Sequence, residues 1–397
     1  MNVKTPVSEL TSRMQRFRAM MDLQHPEWQC AVIFSKINLL YFTGSMPEGM
    51  LIIEKDGEST LWARRSYERT VDESLFHNIK PMDSYRDAAA AYKTPTGTVH
   101  LETEFVPLAM YQRFRKYFPF SEVQSLDFQL AMTRAVKSEW EISNMEASGK
   151  MHRKILEERV PLLLREGMTE AELAGKLYQV MIEEGHQGVA RFNMFDTEIA
   201  VGQIAFGDNS LYPTNFNGPG GQLGLSPASP SLGSRHRRLK QGDLVFVDAA
   251  VGVNGYHTDK TMTYVFGKPL PQFAIDIHHR CVEIQNHVAG MLKPGNTPAD
   301  IYETIMSEIE PEFLNNFMGF GTRQVKFLGH GIGLTVDELP VIANGFNEPL
   351  VKNMVFAVEP KKGIENIGMV GIENSFVVSS SGGRCITGDH KGLMLVE

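Results

Sequence analysis

The sequence predicts an α+β protein. An α/β domain over residues 1–136 precedes a domain over 137–397 in which a curved antiparallel sheet is covered by helices. Three observations lead there. Short apolar strands alternate with helical stretches through the first third of the chain. The segment Asp243–Thr263, DLVFVDAAVGVNGYHTDKTMT, reads as a β-hairpin with its turn at Val253–Tyr256. Leu164–Leu173 (LREGMTEAEL) returns without a gap 128 residues later as Leu292–Ile301 (LKPGNTPADI). Each copy is a helix end, a glycine stop, a threonine cap and an acidic first turn. A duplicated helix–helix–strand unit places its sheet in the middle and its helices outside.

In the first domain, residues 8–22 read as an amphipathic helix. Ser8 and Thr11 are possible caps, and Leu10, Met14, Phe17 and Met21 form its apolar stripe. Cys30–Phe34, Met50–Glu54 and Ser59–Ala63 are apolar strands. Helical stretches near 65–75 and 106–117 alternate with strands near 97–102 and 122–126, and all of these residues read as scaffold.

The second domain opens on Ser138-Glu-Trp-Glu141, a capping box at the head of a long helix that Pro161 should kink or end. Gly167 breaks the chain, and Thr169-Glu-Ala-Glu172 caps a helix running to about Gly185. Residues 207–240 are dominated by Gly, Pro, Ser and Asn, so they form a long irregular loop leading into the first hairpin strand. The cluster Arg235–Lys240 reads as solvated surface.

Two carboxylates, Asp248 and Asp259, lie eleven residues apart on opposite arms of the hairpin. Side chains on a strand alternate, so both can share one face. Two close carboxylates without a cation are costly, and a metal is the simple remedy. Further ligand types follow in order: His330 in FLGHGIGLTVDELP, Glu359 in VFAVEP and Glu373 in GMVGIENSF. Oxygen and imidazole donors together suit Mn, Co, Fe or Zn rather than a thiolate-seeking metal.

With the motifs GHGIG, VEP and GIEN in this order, residues 137–397 resemble the creatinase, Xaa-Pro aminopeptidase, prolidase and methionine aminopeptidase family of pita-bread metallopeptidases. Ile37–Gly44 (INLLYFTG) is similar to a stretch of creatinase-type N-terminal domains. The resemblance implies two divalent metal ions, with Asp259 and Glu373 bridging, Asp248 completing one site, and His330 and Glu359 the other. It implies a metal-dependent hydrolase of the Xaa-Pro dipeptidase or aminopeptidase type that cleaves a short peptide or small amide with a metal-activated water. It also implies a homodimer. The alternatives on the same scaffold are a creatinase-like C–N hydrolase, a dimethylsulfoniopropionate-lyase-like enzyme, and a catalytically silent binding protein.

Three positions depart from the Xaa-Pro pattern. Asp337 stands where a second histidine is expected, Asn209–Thr214 lacks the upstream histidine, and Gly371 stands where an arginine is common. Asp337 and His257 are therefore the candidate proton carriers. A capping aspartate and a hydrogen-bonded strand histidine are the structural alternatives. An acidic Asp337 disfavours simple Xaa-Pro dipeptides and favours a longer, neutral or cationic substrate.

Composition narrows the partners. The 397 residues carry a net charge of −8 with no basic stripe, which speaks against nucleic acid. No apolar run reaches membrane-spanning length, and the N-terminus lacks a signal-peptide core. Three scattered cysteines, Cys30, Cys281 and Cys385, fit reduced thiols in a cytoplasmic protein.

Overall fold

The structure, a computed structural model, describes residues 4–91, 97–195, 197, 199–214 and 216–397. Position 215 of the predicted loop lies outside these. The chain divides into two compact units, Met1–Arg134 and Ala135–Glu397.

The first unit is a mixed sheet of six strands with helices packed on it. They are β1 (Cys30–Ile33), β2 (Gly49–Glu54), β3 (Thr60–Ala63), β4 (Ile79–Pro81), β5 (Thr98–Leu101) and β6 (Glu122–Ser125). The order is β4-β3-β2-β1-β5-β6. The pairs β1–β2 and β2–β3 are antiparallel and the other three are parallel. The helix Val7–Gln24 buries Leu10, Met14, Phe17 and Met21, the stripe read from their spacing. It starts just after Pro6 with no side-chain cap, so Ser8 and Thr11 lie inside it. Ile37–Gly44 belongs to a helix, Lys36–Thr43, which Gly44 closes in the left-handed conformation. The buried carboxylate of Glu102 holds its start, accepting from the backbone N–H of Phe34 and Ser35 and from Asn38 Nδ2.

The second unit holds β7 (Gly202–Phe206), β8 (Leu244–Val253), β9 (Tyr256–Phe266), β10 (Gly319–Phe320), β11 (Arg323–Gln324), β12 (Gly329–Gly331), β13 (Glu338–Val341), β14 (Val355–Val358), β15 (Lys361–Ile364), β16 (Gly368–Gly371), β17 (Asn374–Ser379), β18 (Gly382–Cys385) and β19 (Met394–Val396). Strands β19-β9-β8-β7 form one sheet and β13-β12-β14-β17-β18 another; β15–β16 and β10–β11 are two-stranded ribbons.

The repeated corner takes the same local form in both places. Gly167 and Gly295 both have positive φ, 80° and 96°. Thr169 Oγ1 accepts from the N–H of Glu172, and Thr297 Oγ1 from that of Asp300, each at 3.1 Å. The helix after Ser138 also behaves as its sequence suggests. Its capping box is closed by Ser138 and Glu141, it runs as α-helix over Glu139–Arg153, widens into a π-turn over Lys154–Arg159, and tightens into a 3-10 turn carrying Pro161. Tyr264 Oη donates to the Leu156 carbonyl inside that π-turn.

The alternation of the hairpin decides where the site lies. Val245, Val247, Ala249 and Val251 of β8, with Met262, Tyr264 and Phe266 of β9, sit in a core with Leu173, Leu177 and Met181 of the helix Glu170–Glu184. Each valine, leucine, methionine or phenylalanine among them contributes about 1.5–3 kcal/mol when removed from water. The opposite parity, Asp248, Ala250 and Asp259, faces the other way, into a pocket.

Candidate metal centre

Asn254 and Gly255 turn the hairpin with φ of 51° and 92° and pair Val253 with Tyr256. The register puts Asp259 opposite Ala250, and Asp248 opposite Thr261. The two aspartates thus lie diagonally on one face. The ladder delivers the next ligands. His330 on β12 pairs with Ala357 of β14, just before Glu359, and Asn374, which opens β17 after Glu373, pairs with Val358. Ser375 Oγ stitches the two sheets together, donating to the Asp259 carbonyl and accepting from its N–H, both at 3.0 Å. All five predicted ligands therefore line one pocket.

Their donor atoms form two groups that share Glu373. One is Asp259, His330 and Glu373, the other Asp248, Glu359 and Glu373; within each, the atoms lie within 4.8 Å of one another. The resemblance had placed Glu359 with His330. Here Glu359 Oε2 is drawn to Lys361 at 2.8 Å, while its Oε1 stays 3.5 Å from His330 Nε2.

Lys361 was not foreseen. It is fully buried, and its ammonium donates to Asp248 Oδ2 at 2.9 Å, Glu359 Oε2 at 2.8 Å and Glu373 Oε2 at 2.8 Å. Burial alone would lower its pKa, but the three carboxylates outweigh it and hold the group well above the ordinary lysine range. The available signal was spacing, because Lys361 follows Glu359 by two residues and opens the buried strand β15. Two further supports were missed. Gln203 Nε2 donates to Asp248 Oδ2 at 3.1 Å, and Thr261 Oγ1 donates to Glu373 Oε2 at 2.8 Å.

Crowding marks the aspartates. Burial raises Asp248 to about 6, with Lys361 opposing and Glu373 adding to the rise. Burial, Glu373 and Asp248 lift Asp259 well above the usual carboxylate range. The first group suits a cation. His330 Nδ1 lies 3.0 Å from the Gly331 carbonyl, which can only accept, so Nε2 keeps its lone pair for a ligand role. Glu373 Oε1 is buried with no hydrogen-bond partner among the described residues. The second group already surrounds an ammonium.

The two candidate proton carriers have other attachments. Asp337 lines the pocket, but its carboxylate accepts from the backbone N–H of Asn193 and Met194, anchoring that loop. Burial raises its pKa and the two amides oppose the rise. His257 shares the face of Asp259 but lies two pairs nearer the turn, opposite Gly252. There it is enclosed by the carbonyls of Gly333 and Val189 and by Gln187, and burial lowers its pKa to about 4. It is not among the pocket-lining residues.

Residues 143–380 match metallopeptidase family M24, and residues 13–136 match the creatinase/prolidase N-terminal domain. The chain belongs to metallopeptidase family M24. By class this M24 protein is a metal-dependent peptidase, a hydrolytic enzyme. A Xaa-Pro dipeptidase from Pyrococcus furiosus is 27% identical over 365 residues, spanning 91% of this chain and 94% of that one. A prolidase structure from Pyrococcus horikoshii has a TM-score of 0.78 at 23% identity and covers 96% of this M24 chain and 100% of its own, a likeness of fold. The N-terminal domain of a FACT complex subunit from chickpea has a TM-score of 0.72 at 14% identity, covering 99% and 100%. The fold alone therefore does not name a substrate.

Proposed function

We propose that this M24 peptidase cleaves short peptides or small amides and disfavours substrates that bring a free carboxylate into the pocket, simple Xaa-Pro dipeptides included. The observation that carries the preference is the lining. Phe192, Met194 and Phe216 supply apolar surface, Asp337 supplies an acid, and no lysine or arginine is among the described lining residues. A product-side carboxylate away from the ion would meet Asp337 with no lysine or arginine beside it. The cavity is small, about 60 Å³, so it suits one end of a substrate rather than a folded chain.

The residues divide the work. Asp259, His330 and Glu373 would hold a divalent ion, of which Mn, Co, Fe and Zn all suit the donors. When bound, such an ion polarises a carbonyl and lowers the pKa of water. Thr261 and Ser375 fix Glu373 and Asp259 in place, and Gln203 orients Asp248. The apolar side chains exclude bulk water, which strengthens charge interactions inside the pocket.

The test compares kcat/KM at saturating Mn²⁺ for one Xaa-Pro dipeptide and its C-terminal amide. The amide should be better by about tenfold or more, and Asp259→Ala should lose activity on both. Equal or better efficiency on the free acid would reject the proposed preference.

A further inference from the structure

The acidic face of the centre holds four buried carboxylates, Asp248, Asp259, Glu359 and Glu373. A lysine has three N–H donors and no acceptor. Lys361 spends all three on this cluster, one each on Asp248, Glu359 and Glu373. These are the same three residues that form the second ligand group. The ammonium therefore sits where a second ion would draw its ligands.

The backbone leaves this side chain little choice. Lys361 pairs with Gly371 across the β15–β16 ribbon. Gly371 has φ of 129°, and a Cβ there would come 2.4 Å from the Pro360 carbonyl oxygen and 2.6 Å from Lys361 Cα. The two strands thus approach closely only because 371 is glycine. Lys361 is fully buried, and the ring of Phe246 lies 5.8 Å from its Nζ. An ammonium displaced from the carboxylates would be left buried without acceptors, which is strongly unfavourable. The charge count agrees. One divalent ion and the ammonium bring three positive charges to four carboxylates, whereas two such ions and the ammonium would bring five.

We propose that Lys361 is a built-in cation that holds the Asp248–Glu359–Glu373 corner, so that the centre takes one divalent ion, on Asp259, His330 and Glu373. This rests on the reading of the centre as metal-binding. Its consequence is a mononuclear M24 peptidase whose second positive charge is part of the chain and cannot be removed by a chelator.

Metal stoichiometry provides the test. Full-length protein is stripped with a chelator, dialysed against excess Mn²⁺ and counted by plasma mass spectrometry, beside Lys361→Met treated in the same way. The wild type should hold one ion per chain and the variant two. Two ions in the wild type, or one in both, would overturn the role given to Lys361. No ion in the wild type would overturn the assignment of Asp259, His330 and Glu373; no ion in either protein would also overturn the metal-dependent reading. Should Lys361→Met fail to fold, electron paramagnetic resonance of Mn²⁺-loaded wild type decides alone. The hyperfine pattern of an isolated ion is expected, and an exchange-coupled pair would refute the proposal.

Discussion

Single residues show what the sequence made legible. Asp248, Asp259, His330, Glu359 and Glu373 stood out because each charged or imidazole group interrupts an apolar or glycine-rich stretch, and such a group needs a buried partner. Lys361 stayed hidden because a Lys-Lys doublet reads as solvated surface. In the fold both lysines are buried, and Lys362 Nζ reaches the carbonyl of Phe313 at 2.9 Å. A second hidden residue is His278. Its Nδ1 accepts from the N–H of Gly371 and its Nε2 lies 2.5 Å from the Lys391 carbonyl, so the neutral ring is pinned at both ends. Burial lowers its pKa from 6.5 to about 4. The unfolded chain takes up that proton first as pH falls, so the ring's contribution is complete above pH 6.5 and lost between 6.5 and about 4. His278→Gln should melt below wild type at neutral pH, and the gap should narrow as pH falls from 6.5 toward about 4. Thermal melts of both proteins across that range check the sign; a gap that widens in acid would contradict it.

At the scale of elements, capping chemistry was readable and tertiary capture was not. The boxes at Ser138 and Thr169 and the glycine stops at 167 and 295 follow from local hydrogen bonding, so the sequence sufficed. The short helices Lys36–Thr43 and Asp127–Ala135 were missed because distant contacts support them, as Glu102 does for the first. The composition of 207–240 predicts an irregular loop but carries no sign of its anchor. Glu170, at the start of the helix Glu170–Glu184, is buried with its carboxylate accepting from the N–H of Phe206 and Ser234 and from Asn209 Nδ2. It thereby ties both ends of the loop to one point. Glu170→Gln keeps the shape but turns an amide donor toward those donors, at a cost of about 1–3 kcal/mol. Limited proteolysis should then cut within 207–240 faster than in wild type, and KM should rise more than kcat falls. Unchanged cleavage would show that the loop is held by other contacts.

For the whole molecule, the duplicated corner and the hairpin were enough to place a central sheet and outer helices, because period and capping are sequence properties. The partition of the five candidate ligands into two groups was not legible, since it depends on how β15 meets β16 and brings Lys361 between Asp248, Glu359 and Glu373. Family membership then gives the class of chemistry, and the charges around the pocket carry the proposed preference. The proposed reading requires that Asp259, His330 and Glu373 hold a cation. Anomalous diffraction at the manganese edge from crystals of the Mn²⁺-loaded protein tests that claim directly. A single peak bonded to Asp259, His330 and Glu373 is the predicted result. An ion held by residues outside the five, or no peak at these three side chains, would contradict the account.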